Sequence, residues 1–285
     1  MKIFHHIADY GAWYSEASFK NVSIGFVPTM GALHKGHLSL IEASKSDNDY
    51  TVCSIFVNPT QFNDKADYEK YPRHLDDDIQ ELKKHSCNVL FAPESQEMYP
   101  ANGQHVQNTQ IDLGQIAEVM EGKFRPGHFD GVITIVKKLF RIIKPNRAYF
   151  GKKDFQQLAI IRKMNKVLEM PIEIIGCPTI REDDGLAISS RNLLLSPQQR
   201  SEAPAIYRSL LKSKEKLAEQ DVDQIKRGLI DGINSSSCLD VEYVEIADSL
   251  SLQPIDSWGS TDSAVCCVAV HAGDVRLIDN IMLYN

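Results

Sequence analysis

Two histidines stand three positions apart in the run Pro28-Thr29-Met30-Gly31-Ala32-Leu33-His34-Lys35-Gly36-His37, between a strand-like apolar stretch and a helix-like one. Imidazoles beside a helix N-terminus can donate hydrogen bonds to phosphate oxygens, adding to the unpaired N–H groups and the positive dipole end found there. That suits charge developing on an α-phosphate during nucleotidyl transfer. Gly36 lets backbone approach a ligand closely. The spacing Gly31-x4-Gly36 is that of a Walker A loop, but His37-Leu38 stand where that loop needs Lys and Ser or Thr. A zinc site competes as a reading of His34 and His37, although no HExxH surrounds them and no cysteine cluster completes four ligands. Two surface or capping histidines are the plain alternative.

Further polar runs punctuate the chain. In Phe56-Val57-Asn58-Pro59-Thr60-Gln61-Phe62 the Asn-Pro pair is turn chemistry, and Gln61 carries both donor and acceptor atoms able to read hydroxyls and carboxylates. Tyr71-Pro72-Arg73 precedes Asp76-Asp77-Asp78, where Asp77 and Asp78 can hold magnesium through water or simply complement a helix dipole. Arg125-Pro126-Gly127-His128-Phe129-Asp130-Gly131 is a loop rich in helix breakers leading into an apolar helix, with Arg125 and His128 able to touch an anion. Gly151-Lys152-Lys153-Asp154-Phe155-Gln156-Gln157 repeats the logic of the first motif: a strand ends, glycine turns, and a helix begins beside a lysine suited to ATP phosphates. Ile188-Ser189-Ser190-Arg191-Asn192 sets two hydroxyls and a guanidinium side by side, a natural phosphate clamp. Its position at a domain boundary suggests a flap that closes over nucleotide; a polar linker is the alternative.

The elements that must position these residues follow from periodicity. Strands are expected at residues 22–28, 50–57, 88–92, 148–150 and 171–175, and helices at 37–45, 76–85, 131–143 and 155–168. This alternation implies an α/β fold, a Rossmann-like doubly wound parallel sheet whose ligands bind beyond the carboxyl ends of the strands. The last 100 or so residues read differently. A long helix over 196–220, opened by Ser196-Pro197, and a helix over 222–233 precede strands at 241–247, 264–272 and 275–283. The expected division is a Rossmann-like domain at 1–178 and a smaller C-terminal α+β lid domain at 179–285.

Composition narrows the class. The chain has 285 residues, 43% hydrophobic and 24% charged, which argues for a folded globular protein. Its net charge of −7 counts against a general nucleic-acid binder, while leaving room for a local phosphate pocket. No secretory h-region follows Lys2 and no run approaches a membrane span. The six cysteines form no C-x-x-C pair, so reduced, mostly buried thiols in a cytoplasmic protein are expected.

Taken together and in this order, PTMGALHKGH, FVNPTQF, YPR with the acidic triplet, RPGHFDGV, GKKDFQQL and ISSRN resemble the pantothenate synthetase (pantoate–β-alanine ligase) family, within the nucleotidyl transferases that carry HIGH-type and KMSKS-type motifs. The resemblance covers nearly the whole chain. It implies an ATP-dependent ligase that forms pantothenate from pantoate and β-alanine through a pantoyl-adenylate, using Mg2+, and a homodimer. Nucleotide and pantoate would bind to the 1–178 domain. The resemblance implies ATP contacts by Met30, Gly31, Ala32, Leu33, His34, Lys35, Gly36, His37, Gly151, Lys152, Lys153, Asp154, Ile180, Ile188, Ser189, Ser190 and Arg191. His34, His37 and Lys153 would be catalytic, with His37 matching the residue usually assigned as proton donor. Gln61 matches a glutamine shared by pantoate and β-alanine, and Gln157 a second pantoate-binding glutamine. Two positions depart from the family pattern. Lys152 stands where Glu or Gln is usual, adding a charge near the phosphates, and Ile188 where Met is usual, changing apolar packing. A simple nucleotidyltransferase, a fragment of an aminoacyl-tRNA synthetase and an inactive nucleotide sensor are the rival readings.

Overall fold

A computed structural model describes residues 1–16, 21–62, 65–100 and 111–285, with the side chains of 65–67 left aside. Contacts divide the chain into two compact units. The first comprises Met1–Leu113, Arg125–Lys152 and Ile160–Pro178; the second comprises Gly114–Phe124, Lys153–Ala159 and Thr179–Asn285.

The first unit is built on six strands: β1 (Lys2–Phe4), β2 (Ile24–Thr29), β3 (Tyr50–Ile55), β4 (Val89–Phe91), β5 (Arg147–Gly151) and β6 (Glu173–Cys177). They pair in parallel in the order β1-β4-β3-β2-β5-β6. The helices among the described residues of the first 178 positions are α1 (Ile7–Glu16), α2 (Lys35–Asp47), α3 (Lys65–Lys70), α4 (Leu75–Lys84), α5 (Ser95–Met98), α6 (Met120–Phe124), α7 (His128–Ile143) and α8 (Phe155–Val167).

Side chains alternate across the strands, and each face is covered. Val27, Cys53, Leu90 and Tyr149 pack with Leu40 and Ile41 of α2 and Leu82 of α4. Their neighbours Phe26 and Phe150 turn the other way, to Phe140 of α7, with ring centroids 6.3 and 6.4 Å away. On that same face Tyr10 of α1 packs on Phe91 and donates its hydroxyl to the Ile143 carbonyl at 3.1 Å. The sheet is therefore doubly wound, as its strand-helix alternation predicts. Strand β1 and helix α1 have no counterpart in the sequence reading, although Tyr10, Trp13 and Tyr14 carry a helical spacing.

Chain order reverses between β2 and β5: β3 and β4 are laid down on one side of β2, and β5 and β6 on the other. Such a reversal opens a crevice at the carboxyl ends of the two central strands. The histidine run begins where β2 ends, and Gly151-Lys152 lie where β5 ends.

The second unit holds the antiparallel sheet β7 (Leu239–Asp248), β8 (Ala264–Ala272) and β9 (Val275–Tyr284), with helices α9 (Pro197–Glu202), α10 (Ala205–Glu215) and α11 (Val222–Asn234). Cys266, Val268 and Val270 pack with Ile206, Leu210 and Leu229 on one face. Val265 and Cys267, pointing oppositely, pack with Met120, Phe155 and Ala159. That second contact is why two segments from earlier in the chain belong to this unit; a single cut in the sequence does not anticipate it.

The single helix expected at 196–220 is corrected. It is two helices, α9 and α10, with Pro204 at the junction. Proline has no N–H to donate and its ring crowds the preceding turn, so the ladder breaks there. The Ser-Pro start holds: Ser196 accepts from the Gln199 amide and Gln199 returns a bond to the Ser196 amide, a capping box.

Candidate active site

In the first unit the chain leaves β2 through two left-handed residues, Gly31 at φ +83° and Ala32 at φ +50°. A Cβ on Gly31 would lie 2.9 Å from Asp78 Oδ2, so glycine is required by space as well as by conformation. The turn aims successive amides at one carboxylate: Ala32 N donates to Asp78 Oδ2 at 2.9 Å and Leu33 N to Asp78 Oδ1 at 2.7 Å. Two consecutive N–H groups presented in this way form an anion-binding concavity. Here Asp78, on the first turn of α4, fills it. Burial pushes the Asp78 carboxyl above the usual carboxylate range, while the Leu33 and Ala32 amides pull it back down.

His34 follows as the N-cap of α2, in extended conformation, and His37 lies in the helix's first turn. Their rings stack, 4.0 Å between centroids and 20° between planes. Lys35 and Gly36 open the helix between them.

Gln61 ends a short 3-10 turn, Pro59–Gln61, capped by Asn58. Its Nε2 lies 2.9 Å from Met30 Sδ, and its Oε1 accepts from Asn58 Nδ2 at 3.2 Å. Gln61 and Met30 of the histidine run are therefore in contact. The start of α7 supports this turn. His128 Nδ1 lies 2.8 Å from the Gln61 carbonyl oxygen, Asn58 Nδ2 donates to the Gly131 carbonyl at 3.0 Å, and Tyr99 donates to Asn58 Oδ1 at 2.7 Å. His128 thus holds the backbone of Gln61, a role the sequence reading did not give it.

Asp77 and Asp78, expected to hold magnesium through water, stand in different surroundings. Both Asp78 oxygens serve the loop amides, Asp77 is exposed, and adjacent helix positions do not face one another. Among the described residues no group of three or more His, Cys, Asp or Glu is arranged to hold a metal ion.

In the second unit, Lys153 and Asp154 form the 3-10 turn before α8 and pair at 3.7 Å. Gln157 lies in the first turn of α8. Its neighbour Gln156 is buried and ties the helix to the 114–124 segment, accepting from the Glu121 amide at 2.9 Å and donating to the carbonyls of Ile116 and Val119. Ile180 and Ile188 are cross-strand neighbours in a tight hairpin, Ile188 N donating to Ile180 O at 3.0 Å. Ile188 is buried, which suits its apolar replacement of methionine. Ser189 caps the following 3-10 turn, Ser190–Leu194, by accepting from Arg191 N at 3.3 Å.

Comparison with known proteins gives the family. The family model described as pantoate-beta-alanine ligase matches residues 2–282. Pantothenate synthetase of Porphyromonas gingivalis is 48% identical over 281 residues, covering 99% of each chain. The crystal structure of pantothenate synthetase from Thermus thermophilus superposes with a TM-score of 0.91 at 39% identity, covering 100% of both chains. That of pantoate-beta-alanine ligase from Francisella tularensis, complexed with beta-gamma ATP and beta-alanine, gives a TM-score of 0.81 at 38% identity, covering 99% of this chain and 98% of that one. Residues 2–282 carry both the sheet and the motifs above, and the chain belongs to the pantoate-beta-alanine ligase family.

Proposed function

We propose that the protein joins pantoate to β-alanine with ATP as the activating substrate, in two steps. The pantoate carboxylate attacks the α-phosphorus of ATP and pyrophosphate leaves, giving pantoyl-adenylate. The β-alanine amine then attacks the acyl carbon and AMP leaves, giving pantothenate. The observation that carries this reading is the stacked His34–His37 pair at the N-terminus of α2, directly beyond β2 at the reversal of the sheet. Amide N–H groups, the helix dipole and two imidazoles at one helix N-terminus support the reading of a phosphate site there.

In this reading residues 30–37 bind ATP, with His34 and His37 stabilising charge on the phosphates. Gly151, Lys152, Lys153 and Asp154 with Ile188, Ser189, Ser190 and Arg191 contact ATP. Lys153, Ser189, Ser190 and Arg191 neutralise the triphosphate, and the backbone of Ile180 meets adenine. Gln61 reads pantoate and β-alanine, and Gln157 reads pantoate. Positioning and electrostatic stabilisation carry most of the catalysis. Magnesium enters with ATP as part of the substrate. The enzyme works as a cytoplasmic homodimer that keeps water from the adenylate.

The test follows pyrophosphate and AMP from Mg-ATP and pantoate, with and without β-alanine. Steady AMP and pantothenate only with all substrates, and at most a single-turnover burst of pyrophosphate without amine, is the expected result. Pyrophosphate release independent of pantoate would overturn it in favour of a simple nucleotidyltransferase.

A further inference from the structure

Strand β9 interrupts its apolar run with two buried polar residues, Asp279 and Asn280, 5% and 8% exposed. Successive side chains on a strand point to opposite faces, and each of these two reaches a different segment. On the face shared with Cys267, Asn280 Nδ2 donates to the Lys153 carbonyl oxygen at 2.8 Å. On the face shared with Val268, Asp279 takes both arms of the Arg181 guanidinium, at 2.6 and 2.8 Å.

Arg181 is the hub of the hairpin that leads into Ser189-Ser190-Arg191. It bridges to Ala187 across the hairpin, donates to the Gly185 carbonyl at 3.1 Å, and lies 3.5 Å over the Tyr207 ring. The 3-10 turn carrying Ser190 and Arg191 itself packs on β9. A bidentate guanidinium–carboxylate pair fixes both distance and plane. One dipeptide thus sets where the Lys153 turn and the serine-arginine turn sit on the same strand.

We propose that Asp279 and Asn280 are positioning residues that hold the two triphosphate-binding segments, around Lys153 and around Ser189-Ser190-Arg191, in a common register. The proposal rests on the reading of those segments as ATP-binding. The groups of β9 touch no substrate in this role; they act through Lys153 and through the Arg181 hairpin.

The discriminating experiment is a double-mutant cycle of Asn280→Ala with Lys153→Ala, read as kcat and KM for ATP in pantoate-dependent pyrophosphate release. Thermal melting is run on each variant. Asn280→Ala should lower kcat/KM for ATP by about 10-fold, because a sub-ångström to 1 Å misplacement of a charged group is costly. KM for pantoate should change little. In the Lys153→Ala background the same substitution should cost about 2-fold or less, because residues acting through one another are not additive. Asn280→Ser is carried through the same cycle in case the alanine variant does not fold. Asp279→Asn, which keeps the shape and removes the charge, should likewise act on ATP and not on pantoate. Equal losses in both backgrounds, or a fall in kcat alone that tracks the folded fraction, overturn the proposal. Wild-type turnover in Lys153→Ala would instead overturn the assignment of Lys153 on which it rests.

Discussion

The imidazoles of His34 and His37 lie face to face, 4.0 Å between ring centroids, over the first turn of α2. Gly36 makes room for the stack: a Cβ there would come within 3.0 Å of Cε1 and Nδ1 of His34. His37→Ala should lower pantoate-dependent pyrophosphate release by about 10²–10³, the loss of ~3–4 kcal/mol of transition-state stabilisation typical of one such donor. Gly36→Ala should act in the same direction by displacing the His34 ring. Single-turnover kinetics on variants with native circular dichroism check both, and near-wild-type rates in His37→Ala would remove that residue from the chemistry.

Asp78 should matter through the loop it holds. Asp78→Ala leaves the Ala32 and Leu33 amides without their acceptor, at about 1–3 kcal/mol for each donor that stays buried. Urea unfolding measures the loss. Because burial raises the carboxyl's pKa in the folded state, the native protein keeps that proton at pH values where the unfolded chain has released it. The stabilising contribution is therefore fully present below the ordinary Asp value and declines as pH rises through the raised one. The stability gap between wild type and Asp78→Ala should narrow over that weakly acidic window. A gap that widens there would show that the amide bonds outweigh desolvation.

Gly131 sets the distance between α7 and the Gln61 turn. A Cβ at this position would lie 2.4 Å from the Thr60 carbonyl oxygen. Gly131→Ala should push the turn away, costing about 1–3 kcal/mol of stability as overpacking does. It should also raise KM for pantoate more than KM for ATP. An unchanged pantoate KM alongside a lowered melting temperature would separate Gln61 from pantoate binding.

The cysteines give a prediction independent of the active site. Cys53, Cys87, Cys177, Cys266 and Cys267 are buried, and Cys238 alone is partly accessible. Burial pushes the Cys87 thiol up to about 11, and it raises Cys53, Cys177, Cys266 and Cys267 as well. At neutral pH these thiols lack the thiolate that reacts. An aromatic disulfide reagent should therefore label Cys238 in the native protein and all six cysteines after denaturation. Rapid native labelling of Cys266 or Cys267 would mean that the C-terminal sheet opens.

The alternating strands and helices of the first unit are legible in the sequence, because apolar period and helix-opening residues are local properties. So are the runs proposed to carry chemistry: strand-to-helix junctions holding His34, His37 and Lys153 stand out by residue type alone. What those junctions rest on comes from long-range packing. Nothing in the spacing of Asp76-Asp77-Asp78 distinguishes a cation site from a brace. Only the fold brings Asp78 to the Ala32 and Leu33 amides, 46 and 45 residues away. His128 is offered by its motif as an anion contact, yet its distance to Gln61 is set by how α7 docks on the 3-10 turn. The Asp279-Asn280 pair does leave a trace in sequence, two polar residues inside an apolar strand, but its partners Arg181 and Lys153 lie 98 and 127 positions away. Local pattern encodes which conformation a segment takes. Which buried carboxylate or amide satisfies a distant backbone group is settled only when the core closes and leaves that group no water to bind.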